Sequence, residues 1–388
     1  MILTLRKLTL IFGIAIQPFA FGCSKSDAGG QNEPEKEQPP VIAETIEHPR
    51  LMHTPAQIAL VKAKIATGSQ PWTSAYQQLL ARADATANRS HVAAATFTVP
   101  PFYADPAASG AAKDGYLADS HAAYANALAY KLQGNAAYAN KAIYFLDAWA
   151  SINQTIGTSG DTPLVSAYGG VGFILAADLL LGSSVWPVAK QDAFKLWVRT
   201  KYLPIVSAIR GNSNNWGDWA TFAVISAHGL LDDEAKVKEE TARIKTRINQ
   251  HIAVDGHLPQ EVRREENGIW YTYFALSAMT ASARVVQNTT GENLFTYVSP
   301  GGKTYKKALD YFYHYMYNQQ SWPWHPMGVR NLKNLIWPID LFEGVNEFYD
   351  DAYLPLVTPF RPVLGGYKND FVKPTHVSWN YPTLMRTK

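Results

Sequence analysis

Apolar residues recur along most of the chain at the three- and four-residue spacing of an α-helix. The stripe is clearest at Tyr138, Ala142, Phe145, Leu146 and Trp149, which would lie on one face of a helix. Long alternations of apolar and polar residues, the pattern of a half-buried strand, are absent from the sequence. The pattern therefore predicts an all-α protein.

Short polar turns divide these helical stretches into pairs. The stretch from Tyr116 to Trp149 is interrupted at Gln133-Gly134-Asn135, which predicts two antiparallel helices joined by a tight turn. A succession of such hairpins predicts an incomplete α/α toroid, a barrel built of antiparallel helical hairpins. The other predicted pairs are Leu164 to Leu181 with Gln191 to Ile209, Trp219 to Leu231 with Glu234 to Ile252, and Tyr271 to Val286 with Lys303 to Asn318.

The C-terminal part is less regular. A further helix is predicted from Leu332 to Phe348. The Pro-rich tail after Tyr353 is expected to wrap irregularly over the outside of the toroid.

The N-terminal segment has a different pattern. Arg6 and Lys7 precede an apolar run from Leu8 to Phe21, which has the length of a signal-peptide core and is too short to span a bilayer comfortably. Cys23, the only cysteine of the chain, follows Gly22 in a pattern that resembles a bacterial lipoprotein cleavage box. The sequence therefore predicts a lipoprotein signal peptide over residues 1–22 and lipidation of Cys23.

The residues that follow Cys23 are polar and rich in Pro, Glu and Gly. Such a segment cannot bury enough apolar surface to fold, so we expect residues 23–45 to be a flexible tether and residues 46–388 to form one toroid domain. We accordingly expect an exported protein anchored by its lipid in the outer membrane, on the periplasmic or the cell-surface face.

Charge narrows the classes of binding partner. The formal net charge is +3, from 35 basic and 32 acidic side chains, which is too balanced for the broad positive field of a nucleic-acid or membrane-surface binder. We expect no nucleic acid as a partner, and contact with a membrane only through the lipid anchor. The 11 Trp, 21 Tyr and 16 Phe provide flat rings that can fill a core or stack on sugar faces.

Polar residues suited to chemistry are concentrated in two segments. The first, GNSNNWGDW at Gly211–Trp219, precedes an apolar stretch, and its Asn and Asp residues suit either helix capping or the binding of a sugar carboxylate. The second is DGHLPQEVRREENGIWYTYFAL at Asp255–Leu276. By composition it is either a solvated turn, whose arginines pair with Glu261, Glu265 and Glu266, or part of an active site.

Together these segments resemble the catalytic region of the alginate lyase family. HPRLMHTPAQIALVKAKIATGSQPWTSAYQQLLA resembles the opening helix of that family, and DSHAAYANALAYKLQGNAAYANKAIYFLDAWA resembles the helical hairpin that follows it. The similarity extends over most of residues His48 to Asn318. It implies a helical toroid and a polysaccharide lyase that acts on an acidic, uronate-containing polysaccharide.

The resemblance also implies the positions of the catalytic residues. Members use a tyrosine for proton transfer, an arginine about two helical turns before it and an asparagine in the upstream cluster, which correspond here to Tyr271, Arg264 and Asn215. Many members carry a histidine directly after this asparagine, whereas this chain has Trp216. Either another residue takes the role of that histidine or the role is unfilled. The candidates for the role are His121 and His257.

Further substrate contacts are expected around this centre. Tyr103, after Pro100-Pro101-Phe102, is a candidate lid contact, and Arg330 in the loop WHPMGVR is a candidate for a neighbouring uronate. For each of these residues, the alternative to substrate binding is a purely structural role. The full set of predicted substrate-binding residues is Trp216, Trp219, Arg263, His121, Tyr103 and Arg330.

β-Elimination explains why these residue types are needed. Removal of the C5 proton of a uronate leaves negative charge that spreads into the C6 carboxylate, so an amide from Asn215 and the guanidinium of Arg264 would lower the barrier. Arg264 would also favour the phenolate form of Tyr271. We expect no cofactor and no metal ion, since these groups neutralise the carboxylate and the sequence has no His/Cys cluster with metal-ligand spacing.

Stereochemistry limits the substrate of a single tyrosine. In β-mannuronate and β-glucuronate the C5 proton and O4 lie on one side of the ring, so one phenol reaches both; in α-guluronate they lie on opposite sides. This favours mannuronate-rich alginate, with glucuronan as the alternative.

Three other functions remain open from the sequence. A glycoside hydrolase on the same fold would need paired carboxylates, for which Glu261 and Asp218 are candidates. A non-catalytic glycan-binding lipoprotein of the outer membrane would share the anchor, the helices and the aromatic residues. A heparinase-like lyase would act on sulfated or glucuronate-containing chains, but such enzymes usually add a β-rich domain, which we do not expect here.

Overall fold

Helices form most of the structure. The computed structural model describes residues 46–317, 321–325, 339–364 and 379–388. The prediction of an all-α protein is confirmed for this part of the chain. Its α-helices are α1 (Pro55–Ala66), α2 (Trp72–Asp84), α3 (Pro106–Gln133), α4 (Ala136–Ile152), α5 (Thr162–Leu180), α6 (Val188–Trp197), α7 (Leu203–Ile209), α8 (Asn215–Leu230), α9 (Glu234–His251), α10 (Pro259–Val262), α11 (Gly268–Thr290), α12 (Tyr305–Tyr317), α13 (Ile339–Asn346) and α14 (Leu354–Val357).

The turns of the helical hairpins lie where the polar interruptions of the sequence predict them. Gly134 ends α3 in the left-handed region with φ of 82°, and the side chain of Asn135 caps α4 by accepting from the Ala137 backbone N–H. Between α8 and α9, the side chain of Asp233 accepts from the Lys236 backbone N–H. Each cap satisfies a backbone donor that the helix itself leaves unpaired.

Four long helices form an inner layer. In chain order, α3 packs on α5, α5 on α8, and α8 on α11. The helices that follow them in the hairpins, α4, α9 and α12, pack on this layer and are buried on one face only. Inner and outer helices in this order form an α/α toroid, and the predicted fold is confirmed.

The inner helix α5 has the length and mean hydropathy of a membrane-spanning helix, and among the described residues it is the single helix that does. Its apolar window is 89% buried inside the protein. That burial is typical of a core helix.

The prediction that the tail wraps over the outside is wrong for its C-terminal end, because Trp379 and residues 381–386 are buried inside the protein, whereas residues 358–360 are exposed and residues 365–378 lie outside the described residues. Trp379 is 2% exposed, and its ring fills the space beside Gly172 of α5, where a Cβ atom would lie 2.2 Å from it. Its Nε1–H donates to the Tyr168 carbonyl oxygen at 2.9 Å, and Gln57 Nε2–H donates to the Met385 carbonyl oxygen at 2.5 Å. The tail is held by contacts with residues that are distant in the sequence. The hydrophobic pattern of the tail itself does not predict these contacts.

Two helix boundaries in the structure also differ from those predicted from the sequence. α8 begins at Asn215 rather than Trp219, because the Asn214 side chain accepts from the Trp216 backbone N–H and starts the helix earlier. The helix predicted from Leu332 is described from Ile339 onward as α13, while residues 332–338 and Asn318 lie outside the described residues.

A two-residue parallel strand pair fixes the base of the loop that carries Tyr103. β1 (Thr96–Phe97) pairs with β2 (Thr155–Ile156). Beyond β1, the Phe102 backbone N–H donates to Asp161 Oδ2 at 2.8 Å, beside the start of α5. Tyr103 itself is 70% exposed. The loop is therefore anchored at its base and open to solvent at its tip.

His48 ties the segment before α1 to the toroid. Its Nδ1 lies 2.6 Å from Asp178 Oδ1 on α5, and its Nε2 lies 2.9 Å from Asp232 Oδ1 in the turn after α8. Burial lowers the pKa of His48, but hydrogen bonds and charge from Asp178 and Asp232 outweigh burial and raise the pKa to about 9. Folding therefore favours the protonated imidazole.

We expect the contribution of His48 to the free energy of unfolding to decrease as pH rises from 6.5, its ordinary pKa, through about 9. The contribution of a histidine with a raised pKa is complete below this window and is lost across it. Urea denaturation of the unmodified protein and of His48→Gln measures this contribution. The advantage of the unmodified protein should shrink by about 3 kcal/mol between about pH 6 and about pH 9.5. A difference that stays constant over this range would contradict the assignment.

Candidate active site

Tyr271, Arg264 and Tyr103 come together at the start of α11. Tyr271 lies in the first turn of α11, and its hydroxyl oxygen is 2.5 Å from that of Tyr103. The guanidinium carbon of Arg264 lies 4.3 Å from the centre of the Tyr271 ring, and Arg264 Nη2 lies 3.5 Å from the Tyr103 hydroxyl. The tyrosine and the arginine singled out from the sequence are thus in direct contact.

A compact turn between α10 and α11 produces this contact. Arg264 precedes a 3₁₀ turn, Glu265–Asn267, in which Glu265 adopts φ of 53°. Gly268 then begins α11, and a Cβ atom there would lie 2.5 Å from the Val262 carbonyl oxygen. Only glycine permits so close a backbone approach, which lets the chain reverse and return Tyr271 to Arg264.

The pKa of the Tyr271 phenol lies above its usual value. Burial is the largest cause, and the hydrogen bond and charge of Tyr103 raise the pKa further, whereas Arg264 lowers it by less. Arg264 therefore lowers the pKa of Tyr271, the direction expected from the sequence, but the contributions that raise this pKa are larger. Two of the opposing contributions come from Tyr103, an exposed residue, and they vanish when Tyr103 leaves Tyr271.

A buried carboxyl group joins Asn215 to the same turn. Glu261, in α10, accepts from the Asn215 backbone N–H at Oε1 over 2.6 Å, and its Oε2 lies 2.8 Å from Asn215 Nδ2. Asn215 is 0% exposed and Glu261 2%. Because the first backbone N–H groups of a helix have no partner within it, Glu261 supplies one for α8. This contact brings together the two polar segments of the sequence.

Glu261 was not recognised from the sequence as the partner of Asn215. Burial raises its pKa to about 7; the hydrogen bonds from Asn215 oppose this rise, and the charge of Asp218 adds to it. It does not pair with Arg263 at a solvated turn, since Glu261 is 2% exposed and the Arg263 guanidinium donates to the Gln260 side chain.

Three of the predicted substrate contacts have exposed or partly exposed side chains. Trp216 is half-buried in the first turn of α8, and Arg263 and Tyr103 are exposed. The Arg263 guanidinium donates to the Gln260 side chain. Their role in substrate binding stays a prediction, and Arg330 lies outside the described residues.

Trp219 is a core residue, and its prediction as a substrate contact is wrong. The side chain is 1% exposed and packs against rings of the inner helices. A ring that is 1% exposed has no free face on which a sugar could stack. The aromatic residues around it are Tyr168, Phe222 and Phe274.

Among the described residues, no hydrogen bond joins His121 or His257 to Tyr271. His121 stacks on Trp379 with ring centres 4.2 Å apart, and burial, followed by the charge of Arg82, lowers its pKa to about 3. His257 is 2.6 Å from Asp255 through Nδ1. A part for His121 in binding stays a prediction, and it would act as a neutral imidazole.

Asp218 and Glu261 do not form the open carboxylate pair that a glycoside hydrolase requires. Asp218 is 4% exposed and accepts hydrogen bonds from Arg247 at 2.5 and 3.1 Å. Burial raises the pKa of Asp218, but the charges of Arg247 and His251 outweigh it and hold the pKa below its usual value. Both carboxyl groups are buried and occupied by protein partners, so the hydrolase hypothesis loses its candidate residues.

Comparisons with a family model and with solved structures both match this chain to alginate lyases. The family model for alginate lyase matches residues 61–322. The structure of an alginate lyase from Bacteroides ovatus superposes with a TM-score of 0.65 at 18% identity, covering 86% of this chain and 100% of that one. A Tyr-to-Phe variant of alginate lyase A1-III complexed with tetrasaccharide superposes with a TM-score of 0.66 at 13% identity, covering 84% and 93%. A further structure, alginate lyase A1-III from Sphingomonas species A1, gives a TM-score of 0.59 at 15% identity, covering 76% and 82%. A search of curated proteins found no match.

The fold and these matches define a polysaccharide lyase built on an α/α toroid. Because the family model spans well over half of its residues, the chain belongs to the alginate lyase family. Membership implies an acidic polysaccharide as substrate and sets aside the hypothesis of a non-catalytic glycan-binding protein.

Proposed function

We propose that this lyase cleaves mannuronate-rich alginate by β-elimination, with Tyr271 as the proton-transfer group and with Arg264 and Asn215 neutralising the C6 carboxylate. The observation that carries the proposal is the position of the Arg264 guanidinium, 4.3 Å from the Tyr271 ring. The buried pair of Glu261 and Asn215 lies at the same turn.

The reaction divides into proton removal and departure of the leaving oxygen. Tyr271 as phenolate takes the C5 proton, and the electron pair of that C–H bond forms the C4–C5 double bond while the C4–O4 bond breaks. The phenol then gives its proton to O4, which completes the cycle. Arg264 stabilises the negative charge on the phenolate before the reaction and on the C6 carboxylate during it.

Substrate binding improves Tyr271 as a base. A sugar that takes the place of Tyr103 at the Tyr271 hydroxyl displaces the Tyr103 hydroxyl, which lies 2.5 Å away. That displacement removes both contributions of Tyr103 to the raised pKa of Tyr271, while the opposing charge of Arg264 remains. Tyr103, which is exposed on its loop, then becomes available to contact the bound sugar.

The use of one tyrosine for both proton transfers decides the substrate. In β-mannuronate the C5 proton and O4 lie on the same side of the ring, within reach of one phenol. The same holds for β-glucuronate, so glucuronan is the second candidate. In α-guluronate they lie on opposite sides, which calls for two separate groups.

An absorbance assay with three polymers tests this proposal. Elimination creates an unsaturated uronate that absorbs in the ultraviolet, whereas hydrolysis creates reducing ends without that absorbance. We expect absorbance to rise fastest with polymannuronate, more slowly with glucuronan and slowest with polyguluronate. A fastest rise with polyguluronate would contradict the single-tyrosine mechanism, and no rise with any of the three would contradict the proposed substrate class.

We also propose that the protein is exported and anchored in the outer membrane through a lipid on Cys23, as the N-terminal sequence indicates. Cys23→Ala is then expected to shift the protein from the membrane fraction to the soluble fraction, because the thioether-linked lipid is lost while the toroid is unaffected. Cys23→Ser, which also lacks the thiol, serves as the matched variant. Membrane pelleting of both variants at the level of the unmodified protein would contradict lipidation.

A further inference from the structure

The side-chain amide of Asn215 is only partly hydrogen-bonded among the described residues. Asn215 Oδ1 is buried, and no group among the described residues forms a hydrogen bond with it. The other end of the same amide lies 2.8 Å from Glu261 Oε2, and the Asn215 backbone N–H is held by Glu261 Oε1. A buried polar atom without a partner is rare and calls for an explanation, and a place for a ligand group is one that suits a candidate active site.

The proposed function requires a donor at that position. The C6 carboxylate of a uronate is an anion and accepts hydrogen bonds, so an amide oxygen facing it would repel it. Rotation of the amide about Cβ–Cγ exchanges Oδ1 and Nδ2 without changing its shape. After this exchange the oxygen faces Glu261 Oε2, and two oxygens 2.8 Å apart need a proton between them.

We propose that Glu261 acts as a neutral carboxylic acid and is a positioning residue for Asn215, an inference that rests on the function proposed above. Its protonated Oε2 donates to Asn215 Oδ1, while Oε1 continues to accept from the Asn215 backbone N–H. Asn215 Nδ2 is then turned away from Glu261 and donates to the C6 carboxylate once substrate binding has uncovered it.

The charges around Glu261 favour its neutral form. Asp218 of α8 is negative, and its charge is already paired with Arg247 and His251 of α9. Arg264 favours an ionised Glu261, but burial is the larger influence and raises the pKa to about 7. A bound uronate adds a second negative charge nearby and raises the pKa further.

A neutral Glu261 also benefits Tyr271. The charge of an ionised Glu261 raises the pKa of Tyr271 and so disfavours the phenolate that must remove the C5 proton. Protonation of Glu261 removes this opposition. One proton thus orients the amide for the substrate and makes the catalytic phenol easier to ionise.

Glu261→Gln tests the inference because a glutamine copies the protonated acid at every pH. Its Oε1 accepts from the Asn215 backbone N–H, and its Nε2–H donates to Asn215 Oδ1. We expect the ratio of kcat/KM on polymannuronate, variant over unmodified protein, to rise about 30-fold between about pH 6 and about pH 8.5, for a midpoint near pH 7. Glu266→Gln, an exposed residue of the same loop, is the matched control and should give a constant ratio.

A second measurement needs no substrate. In protein labelled with carbon-13 at the glutamate carboxyl carbons, the resonance that Glu261→Gln removes should titrate near pH 7. Titration below about pH 5, the range of ordinary glutamates, would overturn the inference. A pH-independent ratio of kcat/KM for Glu261→Gln would overturn it as well. Absence of cleavage of any polymer would instead contradict the proposed function, and the resonance would still decide the state of Glu261.

Discussion

Phenylalanine in place of Tyr271 is expected to lower kcat on polymannuronate by a factor of roughly 1,000, as for the loss of a group that transfers the reacting proton. The substitution removes one oxygen atom and keeps the ring, which contacts Arg264 at 4.3 Å and packs on Trp270. Fold and substrate binding should therefore persist. Initial rates by ultraviolet absorbance, with thermal unfolding of the same samples, measure both effects.

Tyr103→Phe is the matched control, because it removes the other hydroxyl of the 2.5 Å pair. If Tyr271 served only to hold Tyr103, the two variants would lose activity equally. We expect Tyr103→Phe to retain kcat within about tenfold and to change mainly KM, since its role is contact with the bound sugar. Equal losses of kcat in both variants would contradict the assignment of Tyr271.

Arg264→Ala is expected to reduce kcat/KM by a factor of roughly 300, the scale of losing one preorganised group that stabilises charge in the transition state. The pH profile should change too. Because Arg264 lowers the pKa of Tyr271, its removal raises that pKa and moves the ascending limb of the profile to higher pH. Rates measured across the pH range separate this shift from a uniform loss.

Arg263→Ala provides the matched control for Arg264→Ala. Both variants lose one positive charge from the same turn, but the Arg263 guanidinium is exposed and donates to Gln260 rather than contacting Tyr271. We expect a loss below about tenfold, confined to KM, and no shift of the ascending limb. A limb that moves equally in both variants would mean that net charge, rather than contact with Tyr271, sets the pKa.

The helical hairpins were predictable because their determinants are local. Gly134 and Asp233 act within one or two turns of their own positions, through a left-handed backbone angle and a side-chain cap. The order of hairpins then limits the fold to a toroid. The same local reasoning fails for Trp379, whose place depends on the missing side chain of Gly172, far away in the sequence.

The first turn of α8 shows why the site was only partly predictable. Asn215 and Asp218 are polar, so the sequence indicates a loop before the apolar helix. In the structure they are buried in the helix itself, because Glu261 accepts from the N–H groups of Asn215 and Arg247 donates to the carboxylate of Asp218. Periodicity likewise does not show whether Trp219 faces the substrate or the core, since both faces of an inner helix carry apolar residues.

Oligomannuronate carrying deuterium at C5 tests the central claim most directly. β-Elimination by Tyr271 removes the atom at C5, so mass spectrometry should show that each new unsaturated end has lost its deuterium, and Tyr271→Phe should slow this loss by a factor of roughly 1,000. Products that retain deuterium at C5 of the newly formed end would show that the bond is broken in another way and would contradict the account.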